Sequence, residues 1–161
     1  MKKGLIAIGI LVVLMGGYLT MAHFSGGAFP TFGVRVGGER AKLRSITLQF
    51  IEDIKFKDFQ KAASYHPPDK QESLDIPFLL ERIFMLKPEA IDIMKYEIVF
   101  AELDSSNLRG RVKARIKCKD LIRNAVKEKD IIFFYHRSDL KSPWYMVLES
   151  SLRQIKEKKK Q

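Results

Sequence analysis

Apolar residues follow three regimes along this chain: one unbroken run, then helical spacing, then alternation. The run is Gly4-Leu5-Ile6-Ala7-Ile8-Gly9-Ile10-Leu11-Val12-Val13-Leu14-Met15-Gly16-Gly17-Tyr18-Leu19-Thr20-Met21-Ala22, without a charge. As a helix it would be about 28 Å long, close to the ~30 Å hydrocarbon thickness of a bilayer. Lys2 and Lys3 precede it, and apart from His23 the next basic residue is Arg35. That asymmetry predicts a cytoplasmic N-terminus with the remainder outside. Two readings fit. One is an uncleaved signal anchor, which the spanning length supports. The other is a signal peptide with Leu5 to Met15 as its apolar core, Gly16-Gly17 as helix breaker, and cleavage after Thr20-Met21-Ala22. A lipoprotein would need a cysteine just after the run, and the sole cysteine is Cys118.

Residues 23–38 hold Gly26, Gly27, Gly33, Gly37, Gly38 and Pro30 and are expected to form a flexible linker. In it, Phe24, Phe29 and Phe32 suit either a headgroup layer or the domain surface. Helical spacing starts at 39–54, where Leu43, Ile46, Thr47, Phe50 and Ile54 form a stripe. Lys42, Arg44, Gln49, Glu52 and Asp53 lie off it. A second helical piece with Phe59, Ala62 and Ala63 stops at Pro67-Pro68, since a proline disfavours helix in the residue before it. Residues 69–73 predict a polar loop. Asp75 is the N-cap candidate of a further helix, with Pro77 in its first turn and Phe78, Leu79, Ile83 and Leu86 as its stripe. Pro88-Glu89-Ala90 is expected to open a short helix to about Met94.

Alternation follows. Residues 96–103 predict a strand. In 109–119, Val112, Ala114, Ile116 and Cys118 point inward, and Arg111, Lys113, Arg115 and Lys117 outward. That basic row is either a solvated face or an anion site, and a solvated face is expected. Residues 125–137 predict a central strand, with Ile131 to Tyr135 apolar on both faces. A turn at 138–143 leads to a last strand at 144–150. Helices first and antiparallel strands afterwards make an α+β layout. The expectation is N-terminal helices packed on a curved antiparallel sheet of about four strands, preceded by one transmembrane or signal helix. The domain is placed at 39–152, with a basic tail at 153–161.

Composition changes this picture little. The net charge is +10, but Lys2, Lys3 and the tail carry six of those charges. The tail can attract anionic lipid, although like-charge blocks are usually solvated ends. A lone cysteine excludes an intrachain disulfide, and its place in the alternation makes Cys118 a small core residue. No phosphate-binding glycine loop, Gly-x-Ser-x-Gly, His-Glu-x-x-His or paired-cysteine metal motif occurs. No catalytic residue, metal or cofactor is therefore assigned. Nucleic-acid binding is not expected of an exported domain.

The stretch Phe50-Ile51-Glu52-Asp53-Ile54-Lys55-Phe56-Lys57-Asp58-Phe59-Gln60-Lys61-Ala62 resembles the opening helix pair of the nuclear transport factor two-like superfamily. It is nearest to bacterial exported members of unassigned function. The segment from Phe133-Phe134-Tyr135 through Pro143-Trp144 to Val147 is similar to their closing hairpin. The resemblance implies a curved sheet wrapped around helices as a cone, either hollow or filled. The residues 67–94 exceed what a compact member needs. If the cone is hollow, His66, Tyr96, Phe134, His136 and Trp144 are its candidate lining.

The functional expectation is an extracytoplasmic binding or assembly module without catalysis, held to the membrane by its N-terminal helix. Its partner would be a protein or a small apolar ligand. One alternative is a small-molecule or acid–base site inside the cone. Another is a secreted protein cleaved near Ala22.

Overall fold

Helical spacing and alternation each need a partner surface, and the chain supplies both in order. The computed structural model describes residues 2–24 and 38–148. The linker expected at 23–38 falls almost wholly outside the described residues, as do the tail and the end of the last strand. Two units divide the chain, Met1–Lys42 and Leu43–Gln161.

In the first unit, α1 (Lys2–Phe24) runs straight through Gly16-Gly17, so the expected helix breaker does not break it. Two glycines weaken a helix by about 1 kcal/mol each, which the strong helix formers around them outweigh. Thr20 Oγ1 donates to the Gly17 carbonyl at 2.8 Å. Apolar side chains lie all round: Leu11, Val12, Val13, Leu14 and Met15 are each more than half exposed. Among the described residues, no helix is long and apolar enough to cross a membrane. The side chains of α1 are described only at 9 and 11–21, so the run predicted at 4–22 is covered in part.

The second helix, α2 (Gly38–Lys55), buries Leu43, Thr47, Phe50, Ile51 and Ile54. Asp53, expected on the polar side, is buried as well. Short helices follow: α3 (Phe59–Ala63), capped by Asp58, and α4 (Pro68–Gln71), a single turn where a loop was predicted. Proline at a first helical position is already set for helix, which accounts for α4. In α5 (Ile76–Phe84), Asp75 caps as expected, its carboxylate accepting from Phe78 N at 2.9 Å. Its buried stripe is Ile76, Leu79, Leu80, Ile83 and Phe84, and Phe78 turns outward under the Arg82 guanidinium. The stripe assigned from sequence was thus rotated by about one residue. Pro88–Ala90 forms one 3-10 turn, and the chain extends from Ile91, so the helix expected to reach Met94 is a strand. The β-branched Ile91 and Ile93, both buried, favour that outcome.

Four antiparallel strands make one sheet in the order β1-β2-β3-β4: β1 (Ile91–Leu103), β2 (Arg109–Asp120), β3 (Ala125–His136) and β4 (Tyr145–Met146). Register shifts between Ile93 and Lys95, and between Ile98 and Phe100, interrupt β1. Such bulges bend a strand and raise its twist. The inner face carries Val112, Ala114, Ile116 and Cys118 on β2, and Ile131, Phe133 and Tyr135 on β3. Ile132 and Phe134, expected to be covered, are only half-buried on the outer face. β4 is shorter than predicted, but Trp144, Met146 and Leu148 are buried in the expected alternation. Met146 N donates to the Tyr65 carbonyl at 2.8 Å, which closes the outer side of that strand.

At Gly110 the Leu43 side chain of α2 meets the backbone of β2. A Cβ there would collide with Leu43 Cδ1 and lie 3.3 Å from the Glu102 carbonyl oxygen. Leu43 is fully buried and cannot swing clear. Gly110→Ala is expected to destabilise the domain by about 1–3 kcal/mol, read as a lower urea midpoint with an unchanged slope.

Candidate functional site

A binding cone would need space, and the packing leaves little. Between α2, α5 and the sheet, among the described residues, lies a cavity of about 10 Å³. That is the room of about one water. Its walls include Phe50, Ile54, Leu80, Ile83, Ile116 and Phe133, with no polar side chain among them. Phe50 fills the centre, 5.7 Å from the Phe133 ring and 6.0 Å from the Tyr65 ring, both edge to face. Ring pairs of this geometry add about 0.5–1.5 kcal/mol beyond their burial.

None of the five candidate lining residues borders that cavity. His66 is buried against Phe50, with ring centroids 6.3 Å apart. Tyr96 is half-buried on β1. Phe134 and His136 face away from the helices, because their neighbours Phe133 and Tyr135 face in and a strand alternates. Trp144 is buried just before β4, under the Arg137 guanidinium at 4.3 Å. The reading that needs a pocket containing His66, Tyr96 or His136 therefore finds no support in the interior.

Three buried polar groupings were not singled out from the sequence. Asp53, 5% exposed, accepts from Lys61 Nζ at 2.7 Å and from Tyr65 Oη at 2.8 Å. Burial and that carboxylate push the Tyr65 phenol up to about 12. Thr47 Oγ1 gives its proton to the Leu43 carbonyl, so Tyr135 Oη is the donor in the 2.6 Å bond to Thr47. Burial raises the Tyr135 phenol far above its ordinary range. Arg137, 4% exposed, donates from Nε to the Asn107 carbonyl at 2.8 Å and from an η nitrogen to the Leu140 carbonyl at 3.1 Å. It thereby clasps the β1–β2 and β3–β4 turns together. Sequence offered one usable sign: an arginine just before the Pro143-Trp144 turn. The partners of Asp53 and Thr47 lie too far along the chain to be paired by inspection.

Three of the four residues of the outer basic row meet acids on neighbouring strands. Arg111 meets Glu102 at 2.7 Å, Lys113 meets Asp130 at 2.6 Å, and Arg115 meets Asp130 at 3.0 Å. Hydrogen bonds from Arg115 and Lys113 hold Asp130 below the usual carboxylate range. The solvated face expected there fits this arrangement, and each exposed pair contributes at most about 1 kcal/mol. Burial pushes the Cys118 thiol up, which keeps it protonated and unreactive. Among the described residues, no three His, Cys, Asp or Glu side chains converge as metal ligands. Compared with protein-family models, curated proteins and solved structures, the chain matches none.

Two outcomes follow. Arg137→Lys keeps the charge but loses the fork that reaches both turns, and should cost about 1–3 kcal/mol in thermal or urea unfolding. The raised Tyr65 phenol favours the fold in its neutral form. That contribution is intact below its ordinary value of 10.0 and fades as pH climbs through about 12. Tyrosinate absorbance should therefore show late-ionising tyrosines coupled to alkaline unfolding, with a shallower stability loss in Tyr65→Phe. Complete tyrosine ionisation near pH 10.0 in a chain that stays folded would contradict it.

Proposed function

We propose that this chain is a membrane-tethered extracytoplasmic module that works through its surface and not through chemistry in its interior. The observation that carries the reading is the apolar girdle of α1, whose described side chains expose hydrocarbon in every direction. A helix that is apolar all round belongs in a core or a bilayer. Within its own unit, α1 exposes those side chains instead of burying them in a core. The uncharged sequence from Gly4 to Ala22 and the lysines before it supply length and orientation.

The filled interior supports surface action, since a small ligand would have to displace Phe50 or Ile116. The domain is grouped here with the nuclear transport factor two-like superfamily, in its filled form. Support comes from the Asp58-capped helix pair and from the bulged strand beside it.

Membrane fractionation tests the reading. The full chain is expected to sediment with membranes, to resist alkaline carbonate, and to enter solution only with detergent. Protease added from the extracytoplasmic side should digest the domain. Recovery of a shorter chain, cut near Ala22, in the aqueous fraction would establish secretion instead.

A further inference from the structure

Three turns of the second unit converge at one end of the sheet, around the Pro88–Ala90 turn. Lys57, just after α2, donates from Nζ to the Pro88 carbonyl and, at 2.7 Å, to the Ile91 carbonyl. Leu121 N, in the β2–β3 turn, donates to the Ala90 carbonyl at 2.9 Å. Met85 ends α5 three residues before Pro88. Each turn displays an apolar side chain to solvent. Phe56 is 69% exposed, Met85 61% and Ile122 79%, with Leu121 and Val126 more than half exposed beside Ile122.

These side chains are held out by local structure. Buried Asp120 accepts from Ile122 N and Arg123 N, both at 3.1 Å, and so fixes the hairpin turn. Lys57, Met85 and Asn124 all have left-handed backbone, with φ of 62°, 58° and 51°. Glycine is the usual residue where Met85 stands, at a left-handed helix end. A methionine there carries backbone strain that glycine would not, and its side chain stays 61% exposed. Its conformation projects the side chain outward.

Basic residues flank every tip. Lys55, Lys87, Lys119 and Arg123 flank the tips, while the Lys57 ammonium is held by the Pro88 and Ile91 carbonyls and Lys127 lies 3.7 Å from buried Asp120; Asp58, Glu89, Asp92 and Glu128 are the acids nearby. We propose that this end of the domain docks onto a lipid surface bearing anionic headgroups, with Ile122, Phe56 and Met85 entering the acyl boundary. Separate apolar tips between cations match a bilayer interface, where hydrocarbon enters and ammonium groups remain with phosphates. A protein partner would instead require a continuous patch of about 800 Å² on each side. The proposal rests on the tethering reading only for bringing the domain close to a bilayer.

The test uses the full chain in vesicles of phosphatidylcholine, or of phosphatidylcholine and phosphatidylglycerol. A fluorophore on Ile122→Cys reports depth through quenching by brominated lipid, and buried Cys118 is shielded from labelling. Leu140→Cys is the control, because Leu140 is 63% exposed in the β3–β4 turn at the other end of the sheet. Quenching at 122 should exceed that at 140 several-fold in the anionic vesicles and fall at high salt. Adding Phe56→Asp and Met85→Asp, both at exposed sites, should reduce it to the control level while circular dichroism stays unchanged. Equal, weak quenching at both positions in a chain that floats with the vesicles overturns docking and leaves the tether standing. Strong quenching at 122 in a chain that carbonate strips from the vesicles supports docking and removes the tether. Equal quenching with and without phosphatidylglycerol, or crosslinking of position 122 to a membrane protein without lipid quenching, overturns the proposal.

Discussion

A sheet with one apolar face must cover it, and the inner row of β2 is where that demand is strongest. Val112, Ala114, Ile116 and Cys118 are almost completely buried, and the strand is paired on both sides. Two small residues sit at this surface, Ala114 and Gly110. They let α2 descend until Leu43 touches the backbone position of Gly110. Phe50, one helical stretch further on, then fills the space above Phe133. The rest of the second unit adapts to that contact. α5 adds Leu80 and Ile83 beside it, and β4 adds Met146. Burial of this kind contributes roughly 25 cal/mol per Å², so the close fit sets the stability of the whole unit.

The polar groups inside follow from the same contact. Alongside its apolar stripe, α2 buries Thr47 and Asp53. Each is tolerated because a partner arrives from elsewhere: Tyr135 from β3, and Tyr65 with Lys61 from the segment after α2. An unsatisfied buried acceptor would cost about 1–3 kcal/mol, more when charged. These groups act as locks on register and helix placement. Nothing about them gathers reactive side chains around an open volume.

The basic row of β2, viewed as sequence, could serve an anion; viewed in the sheet, three of its four cations, Arg111, Lys113 and Arg115, already meet Glu102 or Asp130. The end of the sheet near Pro88 differs, since Phe56, Met85 and Ile122 stand exposed there among charged residues. Much of the chain's unsatisfied chemistry lies there and along α1.

Local patterns in the sequence determined the α+β class, the helix cap at Asp75, the two faces of β2 and the burial of Cys118. Each depends on residues within a few positions of one another, where period and capping chemistry are legible. Tertiary structure decided the rest. It turned Phe78 outward and Leu80 inward, because the covering angle of α5 depends on a sheet distant in sequence. It extended β1 back to Ile91, because pairing with Asp120 outweighed a weak helical tendency. It put Phe134 and His136 on the outer face of β3, so the five candidate lining residues do not surround one volume. Whether a curved sheet encloses a cavity is a question of summed volumes across four strands and two helices, and only the packed chain, with Phe50 at its centre, could close that space.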